Sequence, residues 1–412
     1  MYKYLAAPAL LLALNQFAYI VAKTTEITIG DTQSIFEHGN RAFYEHDFER
    51  ALHHFEYLLT YAPYSNALYY NIGKTLVELT EYEKAIQAFK KAHEYKPTCI
   101  ETQCALATAL LALGDYEQGW KYYEARWLRP ERSSLPFQFP GWDGKKSLDN
   151  KTILLLNEGA LGDCFQFIRY AHALKKLYHC TVHVHVPRLL HSVLSRCSYI
   201  DGFIDNPFQQ YRANYYTSLM SLPALLHTTL ETVPCDIPYI SPCPKQLEQW
   251  QNKVDPSLFN IGVCWYADRE NDANRPPLAQ RSFAPEFFAP LVQLPKIRLY
   301  SLHTTSSGTP FIHTFESLDA HHGNFMDTAA LMHHMDLVIC VDTSIAHLAG
   351  AMGIKTWLIL PFKSDWRWLK NGTQTPWYPT MTLYRAAKNE SFASVVQRIK
   401  KDLEIFINGK ST

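Results

Sequence analysis

The chain has 412 residues, enough for two or three domains with sizeable cores. Lys+Arg and Asp+Glu are both 39, so the formal net charge is zero. No global basic surface points to nucleic acid or to an anionic membrane, and a phosphate ligand would need a local pocket. The nine cysteines contain no Cys-x-x-Cys pair and several lie in apolar runs, which predicts reduced, buried thiols, a cytoplasmic location and no zinc site.

Residues 1–31 open with Lys3 and an apolar run from Leu5 to Leu14 that loosely resembles a secretory signal. Pro8, Asn15 and Gln16 interrupt it, so it falls short of a membrane span of about 20 apolar residues. The preferred reading is an apolar helix packed against the region that begins at residue 32. Secretion or membrane association through residues 1–22 is the alternative.

Residues 32–133 repeat. Gly39 and Gly73, Ala51 and Ala85, Phe55 and Phe89, and Pro63 and Pro97 share one offset of 34, and Phe48, Tyr82 and Tyr116 form a three-membered series at that offset. The pattern resembles the tetratricopeptide repeat, a helical hairpin whose small residues let the two helices approach and whose Pro ends the second. Three repeats are expected, at 32–65, 66–99 and 100–133. The third departs from the pattern, with Ala107, Gly119 and Tyr123 in the Gly, Ala and Phe columns. Stacked hairpins offer a concave surface for a peptide or protein, or serve only to brace the rest of the chain.

After a Ser/Pro/Gly-rich linker, apolar runs alternate with helical patterns: Thr152–Asn157 and Thr181–Val186, then, beyond Ser241-Pro-Cys-Pro244, Asn260–Trp265, Ile297–Leu302, Asp336–Val341 and Lys355–Leu360. Such alternation predicts parallel sheets covered by helices on both faces. Two Rossmann-like halves are expected, at 134–245 and 246–385, with a C-terminal helix over 386–412.

Ligands of open α/β sheets lie beyond the carboxyl ends of the strands. The first such end carries Glu158-Gly-Ala-Leu-Gly-Asp163, where Asp163 is either a helix N-cap or a carboxylate able to take a proton from an attacking hydroxyl. Asp336–Val341 runs into Asp342-Thr343-Ser344 and a small-residue helix. A helix starting at Thr343 or Ser344 directs unpaired N–H groups and a positive dipole end at an anion, although Asp342 or Thr343 could be a simple cap. The loop after Trp265 carries Asp268, Arg269, Asn274, Arg275, Arg281 and Ser282, and a planar guanidinium suits diphosphate oxygens. Asp365-Trp366-Arg367-Trp368 and Thr375-Pro-Trp-Tyr-Pro379 would stack on a sugar or base, or plug the space between the halves. His183 and His185 share a strand face without a third metal ligand in view.

In order, Gly141-Trp-Asp-Gly144, Glu158–Tyr170, Ile261-Gly-Val-Cys-Trp265, Arg281-Ser282, Asp327-Thr-Ala-Ala330, Val341-Asp-Thr, His347-Leu-Ala-Gly-Ala351 and Asp365–Trp368 with Pro376–Pro379 resemble bacterial tetratricopeptide-repeat proteins with a heptosyltransferase-like domain, similar to glycosyltransferase family 9. The layout is similar to that of the O-linked N-acetylglucosamine transferases of family 41. The resemblance implies a tetratricopeptide solenoid followed by a GT-B fold, two Rossmann-like domains facing across a cleft. It implies an inverting, metal-independent glycosyltransferase without a cofactor, taking a nucleotide-diphospho-sugar as donor and a protein or glycan as acceptor. By position, Asp163 falls on the general base, Asp342, Thr343, Ser344 and His347 on the donor phosphate and sugar motif, and Arg281 with Ser282 near the residue that neutralises the diphosphate. Glu158, Gly162, Trp265, Asp365, Trp366, Arg367 and Trp368 are candidates for touching substrate. Where the resembling proteins have Gln-Gly, this chain has Gly159-Ala160, which predicts strain of about 1 kcal/mol if Ala160 takes a positive φ. A repeat scaffold with a silent transferase-like domain and a nucleotide-sugar epimerase are the alternative functions.

Overall fold

The computed structural model describes residues 29–129, 139–207, 211–267, 281–303, 309–314 and 325–409. The chain folds as two compact units: the helical repeats together with Asp365–Lys370, and an α/β unit made of the remainder.

The helical unit is a tetratricopeptide solenoid of three hairpins, α1 (Ile29–Tyr44) with α2 (Phe48–Leu59), α3 (Asn66–Glu78) with α4 (Tyr82–Tyr95), and α5 (Ile100–Ala112) with α6 (Tyr116–Tyr123), followed by a 3-10 turn, Glu124–Leu128. The repeated spacing has a steric meaning. A Cβ on Gly39 would lie 2.7 Å from the Phe55 ring, and one on Gly73 would lie 2.5 Å from the Phe89 ring, so each glycine makes room for the phenylalanine of its own hairpin. In the third hairpin the glycine has moved to the other helix: Gly119 in α6 admits Leu111 of α5, where a Cβ would come within 2.7 Å. Asp47 and Asp115 cap α2 and α6, each accepting a backbone N–H three residues on.

The end of the solenoid is covered by Asp365–Lys370. Trp366 meets Trp120 edge-on at 5.3 Å, Trp368 is fully buried, and the Lys370 N–H donates to the Ala112 carbonyl at the C-terminus of α5. Lys370 Nζ also pairs with Glu83 at 2.7 Å. Asp365, Trp366, Arg367 and Trp368 therefore serve the helical unit, where Arg367 folds onto its neighbour Asp365 at 2.8 Å and over the Trp366 ring. Trp366, Arg367 and Trp368 are nearly or fully buried in that packing.

The α/β unit holds two parallel sheets. The first contains β1 (Thr152–Leu156), α7 (Leu161–Phe167), α8 (Arg169–Leu177), β2 (Thr181–His185), the short α9 (His191–Leu194), β3 (Gly202–Phe203), β4 (Tyr215–Ser218) and α10 (Leu222–Leu225). After α11 (Pro244–Gln251), the second contains β5 (Phe259–Cys264), β6 (Ile297–Ser301), β7 (Ile312–His313), α12 (Phe325–His333), β8 (Leu337–Val341), α13 (Ser344–Ala351), β9 (Thr356–Leu360), β10 (Met381–Arg385) and α14 (Phe392–Gly409). The strand orders are β3-β2-β1-β4 and β7-β6-β5-β8-β9-β10, with every strand pair parallel. Both orders reverse direction beside the first strand of the sheet, between β1 and β4 and between β5 and β8. Those are the topological switch points, where the loops that leave the strands part and open a crevice.

Strands β8 and β9 are buried along their whole length, as expected of a central parallel strand covered on both faces. The core of the second sheet is closed by α14, whose Val395, Val396, Ile399 and Leu403 pack on Ile261, Ile339 and Ile359. Among the described residues no helix is long and apolar enough to cross a membrane.

Candidate active site

The helices that leave the two switch points meet. Helix α7 comes after β1, α13 comes after β8, and they pack against one another. Gly162 is the contact point: a Cβ there would fall 2.7 Å from His347 Cδ2. Gly162 is thus a close-approach glycine between helices, and its missing side chain is what lets the two walls touch.

On the α7 wall the turn 157–160 is short and internally tied. Asn157 Nδ2 donates to the Gly159 carbonyl at 3.0 Å, and the Ala160 N–H donates to Asp163 Oδ2 at 2.7 Å. Ala160 is the N-cap, with φ −76° and an extended ψ, so the positive φ that would have strained it is not adopted. Asp163 is accordingly not the N-cap. It stands at the third helical position and reaches back to the cap amide, the acidic half of a capping box. Gly159 makes room for this carboxylate, since a Cβ would lie 2.3 Å from Asp163 Oδ2. Glu158 is held by the Ser218 hydroxyl, which donates to it from the end of β4.

On the α13 wall Thr343 is the backbone N-cap, extended at φ −141°. Its side chain makes no capping bond. Thr343 Oγ1 instead lies 3.6 Å from Cys264 Sγ at the end of β5, and Ser344 is the first helical residue. Asp342, only 7 % exposed, pairs through Oδ2 with Arg281 Nη1 at 3.0 Å, and its Oδ1 faces His347 Nε2 at 4.0 Å. The other ring nitrogen of His347 is 2.9 Å from the Tyr378 hydroxyl. Arg281 remains 30 % exposed beside a nearly buried partner, so the pair opens to solvent on the arginine side. Ser282 Oγ accepts the Ala267 N–H and so closes the neck of the loop that delivers Arg281.

Cys264 reports the local electrostatics. Burial pushes its thiol up, but the neighbouring His303, with further hydrogen bonding from Thr343 and the Tyr266 backbone, more than offsets this and leaves it below its ordinary value. Cys340, its partner on β8, is pushed well up by burial, with Cys264 and Asp342 adding to the effect. Cys264 closes β5 beside Thr343, the residue that begins the α13 cap. Trp265 stands there as well, nearly buried, with its ring 4.7 Å from that of His303.

Of the residues singled out in the sequence, Asp342, Thr343, Ser344, His347 and Arg281 gather at one helix start, and Glu158, Gly162 and Asp163 gather at the facing one. Asp268, Arg269, Asn274 and Arg275 lie outside the described residues. His183 and His185 are used in hydrogen bonds, with the Tyr211 hydroxyl and the Ile204 carbonyl, both at 2.8 Å. Cys264, His303 and Ser218 were not among the expected site residues. Cys264 left a signal as part of Ile261-Gly-Val-Cys-Trp265 and Tyr378 as part of Pro376-Trp-Tyr-Pro379, whereas His303 and Ser218 become neighbours of the site through strand order.

A tetratricopeptide-repeat family model matches residues 36–97. The protein FlbA of Caulobacter vibrioides is 25 % identical over 374 residues, 80 % of this chain and 60 % of that protein, so the chain spans about 60 % of the length of the curated relative it matches. Two solved structures resemble it over 63 % of the chain at 12 % identity. One is a glycosyl transferase of family 9 from Veillonella parvula, 91 % covered with a TM-score of 0.44, and the other is the E. coli ADP-heptose LPS heptosyltransferase II, wholly covered with a TM-score of 0.42.

Proposed function

We propose that the α/β unit is an inverting glycosyltransferase that moves a sugar from a nucleotide-diphospho-sugar to an acceptor hydroxyl, with the solenoid recruiting a protein or glycan acceptor. The observation that carries this reading is the meeting of α7 and α13 at Gly162 and His347, which brings the Asp163 helix start beside the helix start that holds the Arg281–Asp342 pair. Glycosyl transfer needs both. The acceptor hydroxyl must lose a proton, which Asp163 would accept, and the leaving nucleoside diphosphate gains charge that must be stabilised. The first turn of α13 and the Arg281 guanidinium supply positive potential for the diphosphate without requiring a metal ion. Arg281 would exchange part of its bond with Asp342 for phosphate oxygens, freeing that carboxylate to take sugar hydroxyls together with His347.

Asp163→Asn tests the assignment. Release of nucleoside diphosphate in the presence of acceptor is expected to fall about 10²–10⁴-fold, while donor binding by calorimetry stays within about threefold of wild type. Unchanged turnover in this variant would remove Asp163 from the reaction. Absence of binding by any sugar nucleotide would instead favour a silent scaffold, and interconversion of donor sugars without release of diphosphate would favour an epimerase.

A further inference from the structure

Strand register brings a serine at the end of β4 to a glutamate just beyond β1. Ser218 lies opposite Leu156, Glu158 follows Leu156 by two residues, and the Ser218 hydroxyl donates to Glu158 Oε1. Ser218 is 1 % exposed and has a second task. Its oxygen accepts the Met220 N–H at 3.0 Å and so caps the 3-10 turn Leu219–Ser221, all three residues of which are buried. The N–H can only donate and an ionised carboxylate can only accept, so the one hydroxyl proton lies on the Glu158 bond. Helix α7 packs against the same turn, so the serine is held from both sides of the crevice corner.

The turn 158–163 thus carries a carboxylate at each end, and each receives a donor from the protein: Ser218 at Glu158 Oε1, and the Ala160 N–H at Asp163 Oδ2, 2.7 Å away. Asn157 ties the turn between them through the Gly159 carbonyl at 3.0 Å. Capping the 3-10 turn needs only the oxygen of Ser218. Its proton does something else, which is to orient Glu158. A carboxylate offers about four acceptor positions, so the serine bond fixes its direction without saturating it. Glu158 is half-buried, at the β1/β4 switch point where the crevice of the first sheet opens.

We propose that Ser218 is a positioning residue that aims Glu158 at the acceptor substrate, where Glu158 takes a hydrogen bond while Asp163 takes the proton of the reacting hydroxyl. The acceptor role rests on the glycosyl-transfer reading, whereas the coupling of Ser218 to Glu158 rests on the hydrogen bonds alone. In the transfer step the acceptor oxygen bonds to the anomeric carbon, the bond from that carbon to the phosphate oxygen breaks, and its electron pair leaves with the nucleoside diphosphate. The hydroxyl proton passes to Asp163, and Glu158 gains none. An acceptor that suits two carboxylates carries a second O–H or N–H donor beside its reacting hydroxyl, as a saccharide does. A phosphate or carboxylate of the acceptor would be repelled from that position.

The first measurement needs no substrate. In the full chain grown with carboxyl-¹³C glutamate, the Glu158 signal is identified by its loss in Glu158→Gln and followed against pH. Ser218→Ala removes a donor to the charged form, so the proton affinity of Glu158 should rise about tenfold, and Ser218→Thr, which keeps the hydroxyl, should restore it. An unchanged titration in Ser218→Ala overturns the proposal. The second measurement uses water as acceptor, since water also has one O–H to lose and one to donate. Nucleoside diphosphate release from UDP-N-acetylglucosamine, GDP-mannose and ADP-glucose is compared in wild type, Ser218→Ala and Glu158→Ala. Turnover is expected to fall about tenfold in Glu158→Ala and by less in Ser218→Ala, with KM for the donor within about threefold of wild type. Unchanged turnover, or a loss confined to KM for the donor, overturns the acceptor role. Nucleotide binding without hydrolysis in wild type also overturns it, because carboxylates that fix a hydroxyl would fix water as well. Should Ser218→Ala fail to fold, Glu158→Ala decides the matter. The expected titration together with no calorimetric binding of UDP, GDP or ADP would overturn the glycosyl-transfer reading and the acceptor role with it, and sustain only the coupling of Ser218 to Glu158.

Discussion

At the residue scale the site is organised by side chains that are absent. Gly159 and Gly162 have no Cβ to collide with Asp163 Oδ2 and His347 Cδ2, which would lie at 2.3 and 2.7 Å. These are contacts no ordinary Cβ makes, so a methyl group at either position has to displace its neighbour. The two substitutions should separate the walls. Gly159→Ala pushes the Asp163 carboxylate off the Ala160 amide, and turnover is expected to fall about 10²-fold or more with donor affinity nearly intact. Stopped assays with a saturating acceptor, set beside calorimetric donor titration, would read this split. Equal losses in both would mean that the turn shapes the donor pocket too. The sequence showed the two glycines but not their purpose, because a close approach depends on a partner more than 180 residues away in the case of Gly162 and His347.

At the element scale the solenoid ends on borrowed cover. A stack of hairpins leaves its last apolar face open unless a cap closes it. Here the cap is the short Asp365–Lys370 segment, which brings Trp366 to Trp120 and the Lys370 N–H to the Ala112 carbonyl and turns away at Leu369 with φ +57°. Trp368→Ala is expected to destabilise the helical unit by about 3–5 kcal/mol, the usual cost of truncating a large buried aromatic side chain. Denaturant unfolding followed by tryptophan-independent far-ultraviolet dichroism would measure it, and a loss below about 1 kcal/mol would show that the cap is dispensable. This element also marks a limit of reading composition. Trp, Arg and Trp after a strand read as a ligand platform, since composition alone does not tell a ring that stacks on a sugar from one that packs edge-on against Trp120. The repeats were legible for the opposite reason: Gly39 and Phe55, or Gly73 and Phe89, are packing partners within one hairpin, so their steric bond appears as a fixed spacing. Strands β5, β8 and β9 showed as apolar runs because they are covered on both faces. Strands β3 and β7 are two residues each and leave no such run, and β4, reading Tyr-Tyr-Thr-Ser, is too polar to announce itself.

At the scale of the whole molecule, zero net charge conceals an uneven response to protons. Histidines His54, His172, His183 and His333 all lie below their ordinary value of 6.5, in each case first because burial disfavours the charged ring. Lys176 adds to the effect at His172, and Asp201 partly opposes it at His183. The sign comes from linkage. The unfolded chain takes up protons near 6.5 that the folded chain refuses until lower pH, so the stability these residues contribute is present above about 6.5 and is lost as pH falls through the folded values. Asp201 behaves as a separate, more acidic window: burial raises it, but Lys175 and the Val182 N–H outweigh that, and its contribution disappears only below the ordinary carboxylate value of 3.8. Melting temperature is therefore expected to fall between about pH 7 and pH 5, well before carboxylates titrate. His172→Phe isolates one contributor, because the ring stacks on Tyr199 at 5.3 Å and a phenyl ring can keep that contact without accepting a proton. Its melting curve should lose part of the acid limb while matching wild type above neutrality. A limb identical to wild type would assign the acid sensitivity to the other three histidines, and a limb absent from wild type would remove the linkage argument altogether.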